Sequence, residues 1–408
     1  MKKERAFRNY SLKPAIILTG FTAGLGVIRA LGQNGVPIIL VSTAKKEYAR
    51  KSKYVKETIF APDPEKNGSD YIHLLLENSN DFCGSLVIPT SDETLALISQ
   101  NLGTLKPYFS VACADWEVVG KFLEKKYTSQ IALETGVPAP KTIIPKNLTE
   151  LEDYAQNAQY PCLVKPSQGH LYYSKFNKKM TLVYNPDQMQ AAYSEAKAEN
   201  LEIMIQEFIP GDDDAGANYN SYYWEGEPIC EFAAKKIRNA PPVIGSPCAL
   251  ISKDIPEIHE YGRMILKRVN YSGFSCMEFK KDERDGVYKL MEVNARHNLS
   301  TSLAVRCGMN FPWLQYQHLM MGGLPPASQS YQKGIYWIDS SRDIAYRLLK
   351  KNNQEQRLKD FLNPYCKKHV FAIIDLGDLA PLFLRINDGV RRFIREILKI
   401  RMKEGRKK

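Results

Sequence analysis

Glu278 and Glu292 lie in the stretch GFSCMEFKKDERDGVYKLMEVNAR, residues 273–296, which has the pattern of a β-hairpin. Folding it about Asp285 in the DERDG turn makes the two glutamates direct cross-strand partners. Side chains alternate faces along a strand, so Asn294 and Arg296 join Glu292 on the same face. Opposed like charges destabilise a strand pair unless something lies between them. A hard divalent cation is the natural occupant, and Mg2+ commonly shares carboxylate and amide oxygens with substrate phosphates. Arg296 would then offer its rigid fork of donors to a phosphoryl oxygen.

Other residues fit the same chemistry more weakly. Lys165 ends the apolar run CLVK before Pro166, where it is either an edge charge or a phosphate contact. Gln206, Glu207, Phe208 and Ile209 close the next strand; alternate backbone groups there could hydrogen-bond a nucleobase edge, with Phe208 and Ile209 as an apolar wall. Lys235, Lys236 and Arg238 precede a rigid loop containing Pro241, Pro242 and Gly245. His297 is the one histidine near this set, as a substrate contact or an early helix residue. The loop TGFTAGLG at 19–26 fits a dinucleotide-binding turn. With Tyr193 and Lys197 as a Tyr-x-x-x-Lys pair it supports an alternative, an NAD(P)-dependent short-chain-type oxidoreductase. The plainer account is a tight strand-to-helix turn.

The elements that must position these groups are legible as patterns. Strand Pro14–Leu18, a helix over 25–34, strand Pro37–Ser42, strand 85–90 and a helix over 93–102 give a βαβ rhythm, hence a parallel doubly wound unit. A helix over 115–136 ends at the linker Gly136–Pro140. Strands at 160–165, 181–184 and 202–211 surround a helix at 187–199. Residues 222–236 alternate as one further strand, and a helix near 255–268 precedes the hairpin.

The 408 residues are 44% hydrophobic and 25% charged, the composition of a soluble globular protein with room for two or three packed units. Net charge is +11, of which residues 1–13 carry +4 and residues 391–408 carry +7, so the body between is neutral. A nucleic-acid binder spreads basic residues over its folded body, which argues against that partner. Eight scattered cysteines without CxxC spacing read as reduced thiols. The apolar run after the basic N-terminus is short and stops at Gly20, so it is taken as a first strand rather than a signal peptide. No run approaches the ~20 apolar residues of a membrane span. A cytoplasmic protein is expected.

Taken in order, Lys125 ahead of G-V-P-A-P, Lys165 ending a strand, QEFIPG, K-x-R and Glu…Glu-x-Asn-x-Arg resemble the ATP-grasp superfamily over about residues 14–325. The resemblance implies an α/β fold with an α+β lid, in which a doubly wound parallel-sheet domain precedes the ATP-grasp unit. It implies ATP and Mg2+ as cofactors, with Mn2+ able to substitute. Glu278, Glu292 and Asn294 would hold the metal. Lys125 (or Lys126), Lys165 and Gln206 to Ile209 would bind nucleotide, and Lys236, Arg238 and Arg296 would face the reacting carboxyl and phosphate.

PSQGHLYYSKFNKKM after Lys165 departs from the family's glycine-rich flap, leaving His170, Lys175, Lys178 or Lys179 to close on the triphosphate. Such a loop is similar to a branch related to D-aspartate ligases. That branch implies an ATP-dependent carboxylate–amine ligase acting through an acylphosphate on an amino acid or a cell-envelope or polysaccharide precursor. The partners expected are a small carboxylate and an amine, with a homodimer as a further expectation. A non-catalytic ATP-binding scaffold is the other alternative.

The expected domains are a basic arm (1–13), a Rossmann-like substrate domain (14–112), a helix and linker (113–140), a lid (141–210), a nucleotide- and metal-binding domain (211–325), an extension (326–387) and a basic tail (388–408). In that tail Val390, Phe393, Ile394, Ile397 and Leu398 have amphipathic spacing. Such a helix suits either the protein's own body or peripheral contact with an anionic membrane.

Overall fold

A computed structural model describes residues 11–166, 180–243, 245–324, 326, 330–349 and 358–387. Five parallel strands form the N-terminal sheet: β1 (Ala15–Leu18), β2 (Ile38–Ser42), β3 (Val55–Phe60), β4 (Leu86–Pro89) and β5 (Ser110–Val111), in the order β3-β2-β1-β4-β5. β1 is buried along its whole length. Its alternate residues feed different cores: Ala15 and Ile17 one, Ile16 and Leu18 another. Burial on both faces explains why β1, β2 and β4 are continuous apolar runs rather than alternating ones.

Four antiparallel strands make the sheet of the segment expected as the lid: β6 (Thr142–Ile143), β7 (Cys162–Pro166), β8 (Thr181–Val183) and β9 (Ile203–Glu207), in the order β6-β9-β7-β8. The third sheet contains β10 (Gly216–Trp224), β11 (Glu227–Ala240), β12 (Ser246–Ser252), β13 (Gly273–Lys281), β14 (Tyr288–Asn294), β15 (Tyr336–Ile338) and β16 (His369–Phe371). Its order is β14-β13-β10-β11-β12-β15-β16, so the chain beyond residue 326 completes this sheet.

Two local expectations are corrected. The single strand over 222–236 is a hairpin, because Glu225 (φ 50°) and Gly226 (φ 78°) both adopt positive φ and turn the chain. Consecutive positive-φ residues make the tight turn whose twist suits paired strands. The helix over 115–136 is two helices, Trp116–Leu123 and Lys125–Thr135, separated by Glu124 in an extended conformation.

The N-terminal and seven-stranded sheets share one core. Leu25, Ile28 and Leu31 of the helix Thr22–Gly32 belong to the same buried cluster as Phe232, Leu250, Cys276 and Trp337. The glycines of the 19–26 loop serve this packing. A Cβ on Gly24 would lie 2.1 Å from the Thr19 carbonyl oxygen, and one on Gly26 would lie 3.1 Å from Thr301. A second tie is polar: Asp378 accepts from Arg29 Nε (2.9 Å), Ser52 Oγ (2.7 Å) and the Lys53 amide (2.8 Å).

Candidate active site

The hairpin has the register that its charges demand. Glu278 faces Glu292, Cys276 faces Asn294 and Met277 faces Val293. Nearer the turn, Phe279 pairs with Leu290, so a register shift lies between the glutamates and the turn. On its other side β13 pairs with β10, with Asn218 opposite Glu278. Asn218, Glu278 and Glu292 therefore form a cross-strand row on adjacent strands. Asn218 is 3% exposed, and its Oδ1 has no hydrogen-bond donor.

Two cavities meet at this row. The larger, about 490 Å³, is lined by Asp92, Asn218, Glu278, Glu292, Asn294 and Arg296, with Asn298 and Ser300 beyond them. The smaller, about 190 Å³, lies between the lid and the seven-stranded sheet; Lys165, Phe208, Ile209, Lys236, Glu278 and Lys280 line it. Glu278 and Gly245 border both. The β11–β12 loop that carries Gly245 is fastened by Asp213, which accepts from Asn239 N (3.1 Å), Asn239 Nδ2 (3.2 Å) and Val243 N (2.6 Å). A Cβ on Gly245 would lie 2.2 Å from backbone atoms of Ala240 and Pro241, so a larger residue could not close this turn.

Lys236 donates to Glu278 Oε2 at 2.5 Å. That ammonium, acting against burial, holds the Glu278 carboxyl below its ordinary range. Lys165 donates to Gln206 Oε1 (2.6 Å), and Gln206 Nε2 donates to Thr142 Oγ1 (3.1 Å). Gln206 thus orients Lys165 instead of lining the cavity. Glu207 is likewise turned aside, accepting from Arg284 in the hairpin turn and from the Lys141 amide. It ties β9 to the β13–β14 hairpin.

Lys280, which sequence patterning did not single out, lies with its Nζ 5.0 Å from the centre of the Phe208 ring. Burial lowers its pKa. A cation over an aromatic face at this distance is an attractive contact, and both residues line the smaller cavity with Lys165.

Arg296 is in place but already engaged. Its Nε donates to Asp92 Oδ1 (2.6 Å) and its Nη2 to Asp92 Oδ2 (2.8 Å). Asp92 starts the helix Asp92–Gln100, directly after the Ser91 cap. The sequence gives that position no mark beyond ordinary helix capping, so the pair was not legible. Asp92 and residues 298–300 border the larger cavity.

Four expectations are not met. Arg238 does not face the reacting groups: it is 1% exposed and forked onto Asp343, with Nε–Oδ1 at 2.6 Å and Nη2–Oδ2 at 2.8 Å. A register irregularity between Lys236 and Arg238 breaks the two-residue alternation that would have kept them together. His297 is neither a substrate contact nor a helix start; it is buried, stacked on Phe274 at 4.2 Å and bonded to Gln315. Lys126 is half-exposed and paired with Glu124 at 2.9 Å. The oxidoreductase alternative loses its geometry, since the Gly20 amide is given to the Glu47 carboxylate and Tyr193 is packed in the lid core.

Lys125 begins the helix Lys125–Thr135. His170, Lys175, Lys178, Lys179 and the tail 388–408 lie outside the described residues.

Burial pushes the His297 imidazole down to about 4 from an ordinary 6.5. Between those values the unfolded chain binds a proton that the folded chain refuses. The stability is therefore fully present above pH 6.5 and falls as pH drops toward 4. Urea melts at pH 7.5 and pH 5 should differ by about 2 kcal/mol from this residue. His297→Gln should lose that part of the difference; an unchanged pH dependence would contradict the burial argument.

The donor set suits Mg2+. Among the described residues no three His, Cys, Asp or Glu converge, but Mg2+ takes few protein ligands and completes its shell with phosphate and water. Two carboxylates, Glu278 and Glu292, and the Asn294 amide are hard oxygen donors of that kind. No helix among the described residues is long and apolar enough to cross a membrane.

No family model matches the chain. Over 242 residues it is 26% identical to D-aspartate ligase of Enterococcus faecium, a match covering 55% of this chain and 56% of that one. Over 223 residues it is 23% identical to the arginine-specific carbamoyl phosphate synthase large chain of Eremothecium gossypii, covering 52% and 19%. The chain thus spans about half the first relative's length and less of the second. Among solved structures, L-amino acid ligase from Bacillus licheniformis superposes with a TM-score of 0.59 at 16% identity, covering 77% of each chain. The biotin carboxylase domain of Hydrogenobacter thermophilus 2-oxoglutarate carboxylase, solved with MgADP, ADP and bicarbonate, gives 0.62 at 17% identity over 80% and 74%.

Proposed function

Proceeding from the fact that this chain has the ATP-grasp fold, we propose that it is an ATP-dependent carboxylate–amine ligase. The observation that carries this reading is the meeting of two cavities at Glu278. The smaller is walled by lysines and an aromatic ring, as a nucleotide's phosphates and base require. The larger is polar and holds the Arg296 guanidinium. The row Asn218–Glu278–Glu292 lies at the junction, where phosphoryl transfer would occur.

In this reading the substrate carboxylate attacks the γ-phosphate to give an acylphosphate and ADP. An amine then displaces phosphate to form an amide. A bound Mg2+ would supply charge neutralisation on the phosphates, held by Glu278, Glu292 and Asn294. Lys165 and Lys236 add fixed positive charge, and Arg296 orients the acyl oxygens. Such chemistry needs alignment and electrostatic stabilisation rather than a protein nucleophile. That the relative is named for aspartate makes an amino acid the first acyl donor to try.

The test is hydroxamate formation with Mg-ATP, hydroxylamine and a panel of amino acids, dicarboxylates and cell-wall precursors. Hydroxylamine traps an acylphosphate whatever the natural amine. A carboxylate-dependent hydroxamate with matching ADP is the expected result. ATP binding without turnover across the panel would favour the scaffold alternative; no ATP binding would overturn the nucleotide site itself.

A further inference from the structure

Asp92 contributes a carboxylate to the larger cavity from the start of the helix that follows β4, whereas Glu278 and Glu292 come from the hairpin. Among the described residues it is the one acidic residue lining that cavity outside the cross-strand row. Resting on the ligase reading, we propose that Asp92 is the receptor for a substrate ammonium group, acting beside Arg296 as a paired site for opposite charges.

The geometry of the fork supports this. Asp92 occupies the Nε–Nη2 edge of Arg296. The other edge has only a 3.5 Å contact from Nη1 to the His297 carbonyl oxygen. An anionic substrate group can therefore bind Arg296 without displacing Asp92. Each Asp92 oxygen accepts one of those two bonds, and a carboxylate offers about four lone-pair sites, so acceptor capacity remains. The Asp92 side chain is 43% exposed, which leaves it accessible to a ligand.

Asn218 supplies an independent observation. Its Oδ1 is buried in the wall of the same cavity without a donor. A buried acceptor left unpaired is costly, and an incoming N–H group would satisfy it. The cavity thus presents two acceptors, Asp92 and Asn218, near one fork of donors. A substrate without a nitrogen donor would leave the Asn218 oxygen unmet, whereas one carrying a protonated amine serves it and the remaining lone pairs of Asp92.

The ammonium could belong to the acyl donor or to the attacking amine, and the two are separable. The probes are alanine beside propionate and aspartate beside succinate, each assayed as hydroxamate with wild type, Asp92→Asn and Asp92→Glu. If the donor carries the ammonium, wild type should prefer the amino acid in kcat/KM by about 10- to 100-fold, as a charge-assisted hydrogen bond implies. Asp92→Asn should then erase that preference and Asp92→Glu should keep most of it. If the acceptor carries it, the ratio of amino-acid to deamino-acid hydroxamate should be near one in wild type and in Asp92→Asn alike. Amide formation with lysine as the amine should then fall by a similar factor, with its pH profile displaced.

An equal loss on all four acids would mean that Asp92 only positions Arg296 and would overturn the proposal. No change in either assay would do the same. A wild type silent in every hydroxamate assay would overturn the ligase reading, and this inference with it.

Discussion

Glu292→Ala should lower ADP formation about 100-fold while the chain stays folded. Removing one preorganised group from an electrostatic site typically costs on the order of 3 kcal/mol of transition-state stabilisation. Glu292 suits the test because it lines the larger cavity and is itself exposed, although Leu290 and Val293 on the same strand are buried. Its row partner is a poorer choice. Glu278 receives the 2.5 Å bond from Lys236, whose side chain is only 12% exposed, so Glu278→Ala would strand a buried ammonium and confuse folding with chemistry. With Glu292 removed, Lys236 and Glu278 still neutralise each other. A coupled ADP assay and a thermal melt on the same preparation separate the two effects. Wild-type turnover with an unchanged melt would remove Glu292 from the site and weaken the metal assignment.

The hairpin was legible because like charges in register need a reason, and a period of two fixes which residues share a face. The expected pairing survives the register shift beyond Glu278, since that shift lies on the turn side of both glutamates. The same reasoning failed for Arg238. There the irregularity lies between the two residues compared, and local sequence does not announce it. Asn218 escaped notice for another reason: the chain GANYNSYYW has no charge to place, and only adjacency to β13 makes its amide a member of the row. Asp92 was hidden by a competing explanation, because an acidic residue after a serine cap is what any helix start would show. The doubly wound sheet was plain from its apolar runs. The hairpin turn at Glu225–Gly226 was not, because alternation continues on both sides of it.

Arg238→Met should act on stability and leave the chemistry of the folded fraction near wild type. The guanidinium and Asp343 are both almost fully buried, with side-chain exposures of 2% and 0%. Asp343 also accepts from Tyr365 Oη at 2.8 Å, and the guanidinium lies 5.0 Å from the Phe361 ring centre. Deleting the arginine leaves a carboxylate in the interior with only two neutral side-chain donors, the Tyr365 hydroxyl and the Cys248 thiol, a change that typically costs about 3–5 kcal/mol. Removing both charges relieves that penalty, since well-packed apolar replacements of a buried pair are often neutral. Arg238→Met with Asp343→Leu should therefore recover most of the lost stability, and the interaction term of the double-mutant cycle should be large. Denaturant melts of the four proteins give that term, and kcat measured per folded molecule gives the catalytic share. A single variant that melts like wild type but has lost its turnover would put Arg238 back among the reacting groups, and the buried fork would then be an alternative position of a mobile side chain.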